Sequence, residues 1–151
     1  MIKIEQGKKY LGTGGSGFLG GELIERILDE GGEVITVARN EGQLIKLKQK
    51  FPTVDIQTGD INNKYSVHRV MKGVTGVFHL AAVAEGMQAG KPIESVKTNV
   101  IGSLIVLEEA SNVDFVLGIS SDKVVQVSGS YGVFVIVLFS MRVVLLCGGI
   151  K

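Results

Sequence analysis

The stretch Thr13-Gly14-Gly15-Ser16-Gly17-Phe18-Leu19-Gly20 decides the fold of this chain. Three of its glycines, Gly14, Gly17 and Gly20, stand at the spacing G-x-x-G-x-x-G. In a dinucleotide-binding turn, the first glycine allows a tight turn after a strand and the second lets the backbone approach a pyrophosphate. The third lets the following helix pack closely on the sheet. The N-terminus of that helix presents free N–H groups and a positive dipole end to phosphates.

The flanking residues favour this interpretation over an ordinary glycine-rich turn. Lys9-Tyr10-Leu11 predicts a short strand before the turn, and the segment after it predicts a helix that Gly31 and Gly32 end. The apolar face of that helix consists of Leu19, Leu23, Ile24, Ile27 and Leu28. No Gly-Lys-Ser/Thr follows the glycines, so the turn is not the P-loop of an NTPase. We therefore predict cofactor binding by Gly14, Ser16, Gly17, Phe18, Leu19 and Gly20.

The rest of the chain alternates predicted strands and helices. Further strands are predicted at 33–38, 54–57, 76–82 and 114–119, and further helices at 43–51, 66–72 and 93–110. The last helix carries Val96, Val100, Leu104 and Leu107 on one side. This alternation predicts an α/β fold, a doubly wound parallel sheet of the Rossmann type, as a single compact domain over residues 1–151. Its ligand crevice is expected at the carboxyl ends of the strands.

Residues 133–147 are almost wholly apolar, with interruptions at Ser140 and Arg142. The run is too short and too interrupted to predict a membrane span. Its β-branched residues favour a strand, whereas its place in the fold favours a helix to about Met141 and then a strand over 143–146. In either case the segment is too apolar to face water. It belongs to the core or to a subunit interface, and we expect a homo-oligomer.

Composition excludes several other classes of protein. The chain has 151 residues, is 45% hydrophobic and 21% charged, and carries a net charge of +1. No basic run with interleaved aromatics predicts a nucleic-acid surface. The one cysteine, Cys147, excludes an internal disulfide and a cysteine-rich metal site, and we expect a reducing, cytoplasmic setting. His68 and His79 are isolated from other metal ligands, so no metal site is predicted, and His79 fits a buried strand residue with satisfied hydrogen bonds.

Several motifs occur in one order along the chain: the glycine turn, Gly59-Asp60-Ile61, His79-Leu-Ala-Ala82, Lys97-Thr-Asn-Val-Ile-Gly102, Ser120-Ser-Asp-Lys123 and Tyr131-Gly132. As a set they resemble an extended short-chain dehydrogenase/reductase. The resemblance is to the NDP-sugar epimerase/dehydratase branch, especially the UDP-N-acetylglucosamine 4,6-dehydratase type. It covers residues 8–132, which correspond to the N-terminal half of such a protein. The C-terminal lobe that binds the sugar in the family is expected to be absent.

The resemblance implies an oxidoreductase or lyase that acts on a nucleotide sugar by transient hydride transfer. Tyr131 would take the proton of the sugar hydroxyl, Ser121 would hydrogen-bond that hydroxyl, and Asp122 and Lys123 would assist water loss. Asn99 would support the backbone of the fourth strand and a water path, unless it is a helical asparagine that faces solvent. Where the family has a lysine four residues after the tyrosine, this chain has Val135. The alternative is therefore a non-catalytic dinucleotide-binding module or truncated pseudoenzyme that works through a partner or as an oligomer.

The predicted second strand ends in Ala38-Arg39-Asn40, where NAD-selective proteins carry an acidic residue. Arg39 matches the 2′-phosphate of NADP in charge and shape, so we predict NADP with Asn40 beside it and NAD as the alternative. An exposed arginine in a turn would look the same. The resemblance assigns Asp60 and the Ile61 backbone to the adenine, although Asp60 also fits a helix N-cap. Leu80, Ala81 and Ala82 are expected to line the path of the cofactor.

Overall fold

Five parallel strands form the framework that positions the candidate site. The structure, a computed structural model, describes residues 2–83 and 92–119. The strands are β1 (Lys9–Thr13), β2 (Glu33–Ala38), β3 (Asp55–Thr58), β4 (Val74–His79) and β5 (Phe115–Gly118). They lie in one sheet in the order β3-β2-β1-β4-β5, and every neighbouring pair is parallel. This is the Rossmann-like α/β sheet that the sequence predicts, with its topological switch point between β1 and β4.

The helices follow the predicted alternation, with boundaries that differ by a few residues. They are α1 (Phe18–Asp29), α2 (Glu41–Lys50), α3 (Lys64–Met71), α4 (Pro92–Val96) and α5 (Ser103–Glu109). A π-helical segment, Lys97–Gly102, joins α4 to α5 without a break in helical backbone. Strand β4 ends at His79 rather than at residue 82. Within the described residues, no helix is long and apolar enough to cross a membrane.

Two apolar layers cover the two faces of the sheet, because side chains alternate along each strand. Tyr10 and Phe78 pack with α1 and α2, whereas Leu11 and Val77 pack with α3 and α5. The alternation continues to the carboxyl ends of β1 and β4. Thr13 and His79 therefore project toward the α3 and α5 side.

The predicted inner faces of three helices need correction. Leu19 is 53% exposed and Ile45 is 54% exposed, so neither belongs to the core of α1 or α2. Along 93–110 the side that packs on the sheet is formed mainly by small and polar residues: Ser95, Thr98, Asn99, Gly102, Ser103 and Val106. The predicted apolar side is half-buried or exposed instead. A π-helical segment has more residues per turn than an α-helix, so it shifts which positions face inward.

Candidate functional site

The glycine turn passes directly over the end of β4. Gly14 has a φ of 72°, and a Cβ at this position would lie 2.8 Å from the backbone nitrogen of Ala81. The turn closes with a hydrogen bond of 2.9 Å from the backbone nitrogen of Gly17 to the Gly14 carbonyl. A side chain at residue 14 would therefore strain the backbone and push the turn away from β4. This is the tight turn that the spacing predicts.

Gly20 allows a different close approach from the one expected. A Cβ at Gly20 would lie 2.5 Å from the Cα of Gly15, so the close neighbour of α1 at this residue is the turn itself rather than a strand. A Cβ on Gly15 would in turn collide with the Oγ1 atom of Thr36 on β2. Sequence reasoning missed Gly15 because the G-x-x-G-x-x-G pattern leaves that position free, and only the fold brings Thr36 against it.

The N-terminus of α1 carries the features of an anion site. Gly17 is the N-cap residue in an extended conformation, and no side chain caps the helix within the described part of the chain. The first helical N–H groups consequently lack the side-chain acceptor that a capped helix has. Phe18 is 91% exposed at this end of the helix. Ser16, within the turn, donates a long hydrogen bond of 3.4 Å to Gln43. Backbone donors and a helix dipole converge here, and both favour a phosphate.

The end of β2 lies beside the turn and presents Arg39 and Asn40. The Arg39 side chain is 55% exposed, and its Nη1 atom lies 3.5 Å from a carboxylate oxygen of Glu94 in α4. Asn40 is the N-cap of α2, and its side-chain oxygen accepts a hydrogen bond of 3.0 Å from the Gln43 backbone. Asn40 therefore shapes the start of α2. Arg39 is a cation with room to meet an anion at the carboxyl edge of the sheet.

Asp60 follows β3 and organises a turn. Its carboxylate accepts hydrogen bonds from the backbone of Asn62 at 2.9 Å and from the Asn62 side chain at 3.0 Å. The N-cap of α3 is Asn63, which accepts from the Ser66 backbone at 3.0 Å. The alternative of Asp60 as the helix N-cap is thus wrong. Ile61, beside it, is buried in the layer formed by α3 and α5.

The residues after β4 continue the pairing with β1. The backbone nitrogen of Leu80 donates to the Thr13 carbonyl at 3.1 Å, and that of Ala81 donates to Thr13 Oγ1 at 3.2 Å. Ala82 is exposed. These contacts keep the segment extended under the glycine turn, where the Ala81 backbone lies against Gly14.

Asn99 lies in the π-helical segment, only 2% exposed, so the alternative of a solvent-facing asparagine is wrong. Its side-chain oxygen accepts from the Val83 backbone at 2.7 Å, and its side-chain nitrogen donates to the Val83 carbonyl at 3.0 Å. This pair of bonds ties the helix to the chain that leaves β4. The catalytic role of Asn99 stays a prediction.

His79 is partly buried, and both of its ring nitrogens are hydrogen-bonded, as the sequence predicts. Nδ1 lies 2.7 Å from Thr13 Oγ1, and Nε2 lies 2.8 Å from Ser103 Oγ. Burial lowers the pKa of His79 to about 4, so the ring is neutral at pH 7. Its hydroxyl partners, Thr13 and Ser103, were not identified from the sequence.

The carboxyl edge thus brings together the glycine turn, Arg39 and Asn40, Asp60 and Ile61, and the segment Leu80–Ala82, with Asn99 behind β4. Ser121, Asp122, Lys123, Tyr131 and the apolar run 133–147 lie outside the described residues. Among the residues that are described, no group of three histidine, cysteine or acidic side chains could hold a metal ion.

A Rossmann-like sheet with a glycine turn and an uncapped helix at its switch point defines a dinucleotide-binding class of protein. The chain belongs to the NAD dependent epimerase/dehydratase family, whose model matches residues 11–132. This finding supports a dinucleotide cofactor, and the turn, the α1 N-terminus and the small residues after β4 fit one.

Individual relatives share the same region of the chain. The chain is 32% identical over 128 residues to a UDP-glucose 4-epimerase of Rickettsia rickettsii. The aligned region covers 78% of this chain and 38% of the relative. It is 35% identical over 124 residues to an uncharacterized membrane protein of Methanocaldococcus jannaschii, covering 78% and 37%. The X-ray structure of Pen from Bacillus thuringiensis superposes with a TM-score of 0.83 at 28% identity, covering 87% of this chain and 42% of that one. The chain therefore spans less than half the length of these relatives.

Proposed function

We propose that this chain is the dinucleotide-binding part of a nucleotide-sugar epimerase or dehydratase and that it prefers NADP(H). The observation that carries the proposal is the uncapped N-terminus of α1 behind a glycine turn that lies against the Ala81 backbone. We extend this assignment to residues 1–151 as one domain. Ser16, Phe18, Leu19 and the glycines of the turn would surround the pyrophosphate.

The pyrophosphate part of the proposal makes a specific demand on residue 17. An aspartate there would cap α1, because Gly17 has an extended backbone that suits capping side chains. It would also place a carboxylate where the phosphates bind. We expect Gly17→Asp to fold normally and to weaken dinucleotide binding about 100-fold, because like charges in contact cost several kcal/mol.

The test is calorimetric titration of the full chain with NADPH and, separately, NADH. Gly17→Asn is the matched control, since it supplies a similar cap without the charge. We expect its affinity for the dinucleotide to fall about tenfold. Wild-type protein that binds neither dinucleotide would contradict the proposal. Equal losses for the two variants would contradict a phosphate at this helix end.

The preference for NADP rests on Arg39. Its guanidinium is exposed enough to meet a 2′-phosphate, and it lies at the long distance of 3.5 Å from the Glu94 carboxylate. A surface ion pair of this kind contributes little, so a phosphate can displace it. Arg39→Asp should weaken NADPH binding about tenfold and spare NADH. Equal losses for both cofactors would favour the NAD alternative with Arg39 as a plain surface residue.

The chemistry proposed for the whole protein is conversion of a nucleotide sugar. An oxidised nicotinamide, when bound, would supply a reversible hydride acceptor for the sugar. Tyr131 would receive the hydroxyl proton, Ser121 would hold the hydroxyl, and Asp122 and Lys123 would move a further proton in a dehydratase. Asn99 supports this arrangement by fixing Val83 beside the site. The epimerase named among the relatives makes UDP-glucose a first substrate to test, with UDP-N-acetylglucosamine second.

A second candidate is a dinucleotide-binding module without catalysis. The residue that favours it is Val135, which stands where the resemblance implies a lysine. Incubation of the chain with NADP⁺ or NAD⁺ and each of the two UDP-sugars, followed by product chromatography, separates the candidates. Turnover supports the enzyme, and binding without turnover supports the module.

A homo-oligomer is also part of the proposal. The outer side of the helix 92–109 exposes Ile93, Ile101 and Leu104, which suits contact with a second apolar surface. Light scattering at micromolar concentration should give a mass of at least twice 16.1 kDa. A monomer at that concentration would contradict this part.

A further inference from the structure

A network of partly buried hydrogen bonds connects the segment under the glycine turn to the π-helical segment. It starts at the Ala81 backbone nitrogen, which donates to Thr13 Oγ1 at 3.2 Å. It passes through the His79 ring, from Nδ1 at 2.7 Å from Thr13 to Nε2 at 2.8 Å from Ser103 Oγ. It ends where Ser103 donates to the Asn99 carbonyl at 3.0 Å. The neutral form of His79 has one ring proton, so the donor and the acceptor of each hydrogen bond in this network can be worked out.

The hydrogen bond between Ser103 and Asn99 determines which atoms donate in the rest of the network. A carbonyl oxygen only accepts, so the single hydroxyl proton of Ser103 goes to Asn99. Ser103 must then accept from the His79 ring, and the ring proton is on Nε2. Nδ1 is consequently an acceptor, and it receives the hydroxyl proton of Thr13. Thr13 Oγ1 still has a lone pair for the Ala81 N–H. Every donor has an acceptor in this arrangement. The opposite tautomer would make Ser103 donate to Nε2, which breaks its bond to the Asn99 carbonyl, and would leave the Thr13 hydroxyl proton without the ring as its acceptor.

We propose that His79 is a positioning residue whose neutral ring, protonated on Nε2, fixes the Ala81 backbone and the π-helical segment at the edge of the candidate site. The Ala81 backbone lies against Gly14 in the turn, and Asn99 accepts a hydrogen bond from the Val83 backbone. The ring therefore connects the glycine turn to the helix that carries Asn99. Its effect on dinucleotide affinity rests on the proposed function, whereas its tautomer and its effect on the Ala81 backbone do not.

The first test is the two-bond ¹H–¹⁵N spectrum of the full ¹⁵N-labelled chain at pH 7. The chain has two histidines, so His79→Gln assigns both rings. We expect an unprotonated Nδ1 and a protonated Nε2 for His79. His68 gives a contrast in the same spectrum: its Nδ1 lies 2.7 Å from a carboxylate oxygen of Glu109 and must carry a proton. That hydrogen bond holds the pKa of Glu109 below its ordinary value. A protonated Nδ1 on His79, or averaged tautomers, would overturn the proposal.

The second test removes the ring's partners one at a time. Thr13→Val deletes the donor to Nδ1 and the acceptor of Ala81, Ser103→Ala deletes the acceptor of Nε2, and Thr13→Ser should restore the wild-type pattern. The matched control is Thr98→Val: Thr98 is also buried, in the same helical stretch as Ser103, and its hydroxyl has no hydrogen-bond partner among the described residues. We expect Thr13→Val to release the His79 tautomer, to speed hydrogen exchange at Ala81 about tenfold, and to weaken NADPH about tenfold.

The control and the rescue variant should leave all three measurements within twofold of wild type. Thr13→Val with an unchanged His79 tautomer and unchanged exchange at Ala81 would overturn the proposal. If wild-type protein bound neither dinucleotide, the proposed function would fail, and the tautomer and exchange data alone would still decide the role of His79.

Discussion

The start of α1 and the end of β4 lie side by side at the carboxyl edge of the sheet. They differ in whether their polar groups have hydrogen-bond partners among the described residues. At the start of α1 no side chain from residues 2–83 or 92–119 caps the backbone N–H groups, whereas α2 and α3 are capped by Asn40 and Asn63. At the end of β4, Thr13 and His79 form a continuous set of partly buried hydrogen bonds that Ser103 and Asn99 complete. Buried polar groups that are fully paired make a rigid scaffold. Donors left without a partner at a helix end are available to a ligand.

The glycines test how closely the uncapped helix must approach the turn. Gly20→Ala would place a Cβ 2.5 Å from the Gly15 Cα, which is backbone and cannot rotate aside. We expect a loss of at least about 3 kcal/mol in the free energy of unfolding, measured with urea. The control is the next residue, where a Cβ meets nothing within 4 Å. Gly21→Ala should stabilise by about 0.5–1 kcal/mol, because alanine is the better helix former. Similar values for both variants would show that α1 does not need to lie against the turn.

Acid tests the paired region at the end of β4. The pKa of His79 is about 4 in the folded chain, against 6.5 for the free side chain, because burial disfavours the charged ring. Between these values the unfolded chain binds the extra proton, so stability is present above pH 6.5 and is lost as the pH falls toward 4. Wild type should lose about 2 kcal/mol more than His79→Gln between pH 7 and pH 4.5 in urea unfolding. Parallel losses for the two proteins would mean that His79 is not buried in neutral form.

The helix caps test the smallest contrast. Asn63→Ala removes the side chain that accepts from the Ser66 backbone at 3.0 Å, and should lower the free energy of unfolding by about 1 kcal/mol. At α1, Gly17→Asn adds a side chain that can cap the helix. In the absence of dinucleotide it should raise the free energy of unfolding by about 0.3 kcal/mol. Urea unfolding of both variants gives the comparison. A loss of stability in Gly17→Asn would indicate that the start of α1 has no room for a cap.

Much of the fold and part of the site could be predicted because the signals are local. The bounds of β2 coincide with the predicted 33–38, and Gly14 has the positive φ that its place in the turn predicts. The inner side of the 92–109 helix could not be predicted, because apolar spacing assumes a regular α-helix and Lys97–Gly102 is π-helical. The small polar residues Ser95, Thr98 and Ser103 face inward there. A hydrophobic pattern assigns such residues to the surface.

The sequence by itself determined the doubly wound sheet, the glycine turn at its switch point and the expectation that His79 is a strand residue with satisfied hydrogen bonds. These follow from the spacing of glycines and from the alternation of apolar runs, which act over a few residues. Only the tertiary structure decided which groups are paired. Thr13 meets His79 across 66 residues of chain, and His79 meets Ser103 across 24. Residue 15 must be glycine because a Cβ there would collide with Thr36, and the Ala81 backbone lies against Gly14. Such contacts depend on the order and register of the strands, because hydrogen bonding and steric exclusion act between atoms that only the folded sheet brings together.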